Sequence, residues 1–203
     1  MVNKADLPLA IAAGQIEEPR TDVLVPEVEG YTTTSTEVKL NRTIQDEVWQ
    51  LMLTQGYGQE ETHLTGRFAL KNNQARVLSL TLTMYQFSGG AHGTTLEHGL
   101  TFDSDTGHLY TLPELFKPKS NYKKLINNNI KAQLQKRNLT EDLFKPFDTI
   151  PDDVQFYVAD KTLVIFFNQY DILPYVFGIT YFPISLYALQ EAIPDDGPLS
   201  RLL

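Results

Sequence analysis

The chain has 203 residues, of which 42% are hydrophobic and 21% charged, with a net charge of -8 and no cysteine. A chain of this length buries roughly 70% of the surface its unfolded form exposes, so it needs neither metal nor disulfide to fold. The lack of cysteine excludes a disulfide framework, thiolate zinc sites and thiol nucleophiles, and the acidic balance argues against nucleic-acid binding, which needs a basic footprint.

In chain order, residues 1–21, with Pro8 and Pro19, read as a flexible arm. Its opening, MVNKADLPLAIAAGQ, has one lysine and a broken apolar run, too weak a pattern for a signal peptide. No stretch approaches the roughly 18 apolar residues of a membrane span. The start therefore fits a cytoplasmic chain or the mature part of an exported one.

Residues 22–60 read as a smaller module, a strand running into a helix. In TEVKLNRTIQDEVWQLML, Ile44, Val48, Leu51 and Met52 share one helical face, Asn41 or Thr43 can cap it, and Asp46 and Glu47 suit its positive end. QGYGQ breaks the pattern. A larger region, 61–193, begins with two strands: ETHLTGRFAL, with Leu64, Phe68 and Leu70 on one side, and the strictly alternating ARVLSLTLTMYQF. KNNQ is the expected hairpin connection between them.

The loop SGGAHG follows, and TTLEHGLTFD then resumes the alternation with Leu96, His98, Leu100 and Phe102 on one face. Gly89, Gly90 and Gly93 permit positive φ and close backbone approach. A strand rather than a helix comes next and the loop has no lysine, so a phosphate cradle is excluded. His92 within the loop has three readings: a brace bonded to nearby backbone, a ligand contact, or a general base served by Glu97, Asp103 or Asp105.

His92, Glu97, His98 and His108 resemble a metal cluster only on paper, since alternation sends Glu97 and His98 to opposite faces. DSDTGHLYTLPE places Asp103, Asp105 and Glu114 at calcium-loop positions but puts glycine one place early, and a β-turn explains it better. We expect no metal and no other cofactor. There is no G-x-S-x-G nucleophile elbow.

LPELF predicts a short helical turn. SNYKKLINNNIKAQLQKR predicts a long helix with Tyr122, Ile126, Ile130 and Leu134 as its apolar stripe and Ser120 or Asn121 as its cap. Its surroundings hold Lys117, Lys119, Lys123, Lys124, Lys131, Lys136 and Arg137 with no acidic residue among them. This is a solvated face or a contact for an anionic partner. VQFYVAD and LVIFFNQY predict two strands about a turn at Asp160-Lys161. YVFGITYF predicts another, PISLYALQEAI a closing helix with Pro183 near its start, and residues 194–203 a tail. The aromatic block offers Tyr170, Tyr175 and Tyr181 either as one covered face of a sheet or as an exposed contact patch.

Three segments together carry a family resemblance: YQFSGGAHG, FDSDTGHLYTLPELF and FYVADKTLVIFFNQYDILPYVFG. In order and spacing they resemble the C-terminal extracytoplasmic domain of the RsiV family of anti-sigma factors, also found as an accessory domain of peptidoglycan deacetylases. The resemblance covers about residues 61–190, and the preceding module resembles the one that usually accompanies it. It implies an extracytoplasmic, non-catalytic binding domain of the cell envelope, with a lysozyme-like protein or a cell-wall glycan as partner. Gly89, Gly90, His92 and Gly93 match its characteristic loop; Tyr170, Pro174, Tyr175 and Gly178 match its second motif.

The expected fold is α+β, a mostly antiparallel sheet with two main helices on one face, in one or two small lobes. The alternative function is a cell-wall hydrolase using His92 with a carboxylate.

Overall fold

Alternation of apolar and polar residues over ten or so positions dictates strands, and one apolar helical stripe is enough to cover them. Both devices are used twice. The computed structural model describes residues 8–30 and 34–203. The chain divides after Leu109 into two units, and each has its own sheet.

In the first unit six strands succeed one another in sequence order: β1 (Ala10–Glu18), β2 (Thr21–Glu29), β3 (His63–Gln74), β4 (Val77–Phe87), β5 (Thr94–Asp103) and the short β6 (His108–Leu109). All neighbours are antiparallel except β2 and β3, which pair in parallel. That pair is joined by α1 (Thr34–Thr54), the crossover a parallel connection requires. Leu40, Ile44, Val48, Leu51 and Met52 of α1 are buried with Val23, Leu80, Leu82, Met84 and Leu100 of the sheet.

The structure corrects the sequence reading at several points. The flexible arm expected over residues 1–21 lies partly outside the described residues, and from Ala10 onward it is β1, paired with β2 along its whole length. Residues 36–40, taken as strand, are the first turns of α1. Asn41, taken as its cap, sits inside the helix and clamps β2 instead: it accepts from the Val28 amide at 2.8 Å and donates to the Val28 carbonyl at 2.9 Å. The hairpin turn is not KNNQ, which stays in β3, but Ala75-Arg76, both at positive φ (53° and 60°) as a two-residue hairpin demands. Buried Asn72 fastens this turn, donating to the Gln74 and Val77 carbonyls. Leu70, expected on the inner side of β3, is exposed, just ahead of a β-bulge. The boundary expected near residue 60 falls instead within one continuous sheet, because β2 and β3 flank it as partners.

The second unit has three antiparallel strands in sequence order, β7 (Gln155–Ala159), β8 (Thr162–Phe167) and β9 (Thr180–Ser185). Its helix α2 (Tyr122–Lys136) buries Ile126, Ile130 and Leu134 at the predicted spacing. Pro183 does not open a helix: it lies within β9, an edge strand where a missing amide is tolerated. That edge is blunted by α2 and the residue after it, since Gln133 donates to the Pro183 carbonyl and Arg137 to that of Tyr181. Directly after β9 the chain turns into a 3-10 helix, Leu186–Ala192. The expected tail is packed as well, with Leu199 and Leu202 buried around a final 3-10 turn.

The fold is thus α+β and mostly antiparallel, with one helix serving each of two sheets. Among the described residues no helix is long and apolar enough to cross a membrane.

Candidate functional site

The glycine loop closes β4 onto β5. Gly89 and Gly90 adopt φ of 87° and 94°, a region costly to any residue with a Cβ, and nothing crowds them. Gly93 is constrained differently: a Cβ there would collide with the Gln86 carbonyl oxygen and the ring of Tyr85. One glycine pair thus makes the bend, and the third makes the close approach.

Polar side chains then tie the loop to its own unit. Gln55, buried just beyond α1, donates from Nε2 to the Met84 carbonyl at 2.8 Å and the Thr94 carbonyl at 3.2 Å, one on each strand. Thr62 and Ser88 share a hydrogen bond between hydroxyls, Ser88 donates to Gln86, and Gln86 donates to Thr94. Gln55 carries no motif. Its position one residue past α1 and before the strands was the signal available.

His92 places Nδ1 3.1 Å from the Gly93 carbonyl oxygen, which can only accept, so the ring nitrogen donates. Two of the carboxylates considered as its partners are committed elsewhere. Asp103 accepts at Oδ1 from the amides of Asp105 and Thr106 and from the Thr106 hydroxyl, which builds the turn that sequence offered as a calcium loop. Asp105 faces Arg76 at 3.3 Å. His98 lies 3.0 Å from Glu47 of α1. This hydrogen bond holds the Glu47 carboxyl below its ordinary 4.5, against the opposing cost of burial. No group of three or more His, Asp or Glu suited to a metal occurs among the described residues.

In the second unit Tyr170 and Tyr175 come together, with ring centroids 5.8 Å apart and planes tilted by 34°. Tyr170 has φ of 68°, unusual for an aromatic residue, and a 3-10 turn at Tyr175–Phe177 brings the second ring back. The turn leaves Val176 83% exposed and Tyr170 50% exposed. Tyr181 does not join them: it packs on Tyr157 and Phe166 in the sheet.

Next to this loop in sequence lies a groove of about 730 Å³. Its walls are residues 143–154 and 168–172, and its base is Phe166 and Phe167. The Phe144 amide donates to the Ile172 carbonyl at 3.1 Å, which joins the two walls. Asn127 of α2 pins the first wall, accepting from the Ile150 amide and donating to Thr149. The triple asparagine that lowers helix propensity therefore supplies an anchor. Burial raises the Asp171 carboxyl, the Asn168 amide bonded to it opposes this, and the charge of Asp153 raises it further.

The basic stretch is largely used internally. Lys123 pairs with Asp152 and Lys131 approaches Asp148, while Lys117 donates to the Glu191 carbonyl and Arg137 lies over the Phe182 ring.

Comparison with known proteins places this second unit. Residues 113–187 match a family described as protein of unknown function, DUF3298. Over that segment the chain is similar to DUF3298 domains. The anti-sigma-V factor RsiV of Bacillus subtilis is 33% identical over 113 residues, which cover 51% of this chain and 39% of RsiV; the chain thus matches about two fifths of that relative. Two solved DUF3298 family structures share the fold. One from Bacteroides fragilis has a TM-score of 0.73 at 13% identity, covering 97% of this chain and 98% of its own. One from Pseudomonas aeruginosa has a TM-score of 0.73 at 15% identity, covering 94% and 96%. The DUF3298 match contains the tyrosine loop and the groove; the glycine loop lies outside it.

Proposed function

We propose that the chain is a non-catalytic extracytoplasmic binding module of the bacterial cell envelope, recognising a lysozyme-like protein or a cell-wall glycan through the tyrosine loop of its DUF3298-like segment. The observation that carries this reading is the Tyr170–Tyr175 ring pair, in which Tyr170 is half exposed and Tyr175 partly buried, beside the exposed Val176. Large aromatic rings held outward by a fixed turn lose little conformational freedom on binding and bring both apolar area and a hydroxyl. The similarity to RsiV supports the envelope setting and the class of partner. His92 donates to the Gly93 carbonyl, the Asp103 carboxylate accepts within its own turn and the Asp105 carboxylate faces Arg76, which supports a brace at His92.

The test is a binding screen of the purified chain against lysozymes and peptidoglycan fragments. Saturable binding of at least one, weakened at least about tenfold by Tyr175→Ala with melting unchanged, is the expected result. Failure of all of them to bind overturns the proposal.

A further inference from the structure

The groove of the DUF3298-like segment carries charge that its own unit leaves uncompensated. Three carboxylates line it, Asp148, Asp153 and Asp171, against one lysine, Lys145. On the first wall Asp148 and the neighbouring Asp152 are answered by Lys131 and Lys123 of α2. Asp153 and Asp171 have no basic partner among the described residues. Both are solvent-exposed carboxylates in the groove lining, and Asp171 is fixed there by the Asn168 amide, which donates to its Oδ2 at 2.7 Å. Carboxylates gathered along one groove favour an entering cation and disfavour an entering anion.

The apolar half of the lining narrows the choice of cation. Phe144 lines the groove and is 54% exposed, while Phe147 is fixed edge-on against Phe167, with ring centroids 6.1 Å apart. An accessible ring beside carboxylates suits a guanidinium better than an ammonium. The guanidinium is planar, weakly hydrated, stacks on aromatic faces and offers forked donors to carboxylate oxygens. A neutral sugar could stack on the ring but would leave the charge unanswered. The volume lies in the range of pockets that enclose a ligand group.

We propose that the groove between residues 143–154 and 168–172 is an arginine-recognition site for a basic protein partner, with Asp153 and Asp171 as acceptors and Phe144 as the stacking platform. This deepens the binding-module reading, on which it rests for the partner being a protein, by stating the partner's chemistry.

The test is titration of the full chain with acetyl-triarginine amide, followed by amide shifts in NMR, with acetyl-trilysine amide and a glucosamine oligomer as parallel probes. Saturable shifts confined to residues 143–154 and 166–172 are expected, with triarginine bound at least about fivefold more tightly than trilysine. Asp153→Asn and Asp171→Asn should each weaken triarginine about tenfold. Asparagine at 171 keeps an acceptor for the Asn168 amide, so the loop is preserved. Shifts elsewhere, no saturation, equal affinity in both variants, or tighter binding of the glucosamine oligomer would overturn the assignment. The two readings fail separately. A lysozyme or wall fragment that binds the wild type and both variants equally defeats the groove and leaves the tyrosine loop standing. A groove saturated by triarginine in a chain that binds no lysozyme or wall fragment does the reverse.

Discussion

The glycine loop of the first unit and the tyrosine loop of the second both rely on residues at positive φ, but to opposite ends. In one, Gly89 and Gly90 make the bend, Gly93 admits the Gln86 carbonyl, and Gln55, Thr62 and Gln86 tie the surrounding backbone down. In the other, Tyr170 at φ of 68° and the turn at Tyr175–Phe177 hold large rings out toward solvent. The glycine motif thus shapes main chain, and on the proposed reading it is the tyrosine loop, not the histidine loop, that makes the contact surface.

If that contrast is right, damage to the first loop costs stability and damage to the second costs binding. The largest expected effect is Gly93→Ala, which forces a methyl into the Gln86 carbonyl and the Tyr85 ring: about 3 kcal/mol of stability, read from the denaturant midpoint. Gln55→Ala should come next at about 2 kcal/mol, since its amide bridges the Met84 and Thr94 carbonyls. A retained midpoint in either variant would mean the loop is not a fixed part of the sheet.

Glu47 sharpens the comparison by pH. Its carboxyl is depressed in the folded protein by the hydrogen bond from His98, so its contribution is fully present above the ordinary value of 4.5 and is lost as pH falls through the lower folded value. The stability difference between wild type and Glu47→Gln should therefore shrink below pH 4.5. A difference that is flat across that range would contradict the assignment.

His92→Ala should cost less than about 1 kcal/mol, the worth of one hydrogen bond at an exposed site. Smallest of all, Tyr170→Ala should move the melting temperature by no more than about 2 °C, because its ring is half exposed.

Much of this architecture was legible in the sequence. The alternation in residues 77–87 and 94–103 gave two strands whose Leu80–Leu100 and Met84–Leu96 pairs share one face. The four-residue spacing of Ile126, Ile130 and Leu134 gave α2. What escaped was set by tertiary context. Thr36 to Leu40 reads as readily as strand because β-branched and charged residues alternate there, and only burial of Leu40 against the sheet decides for helix. Pro183 suggested a helix start because nothing local reveals that it lies on a sheet edge facing α2. At the candidate sites the glycines and tyrosines announced themselves. The groove did not, since Phe144, Asp153 and Asp171 are scattered over a loop and a turn, which the Phe144–Ile172 backbone bond joins.

The most direct measurement is a set of binding isotherms for one lysozyme with wild type, Tyr175→Ala and His92→Ala, each accompanied by a melting curve. The account predicts that Tyr175→Ala loses affinity at least about tenfold with unchanged melting, whereas His92→Ala binds like wild type. Binding abolished by His92→Ala and untouched by Tyr175→Ala would contradict it.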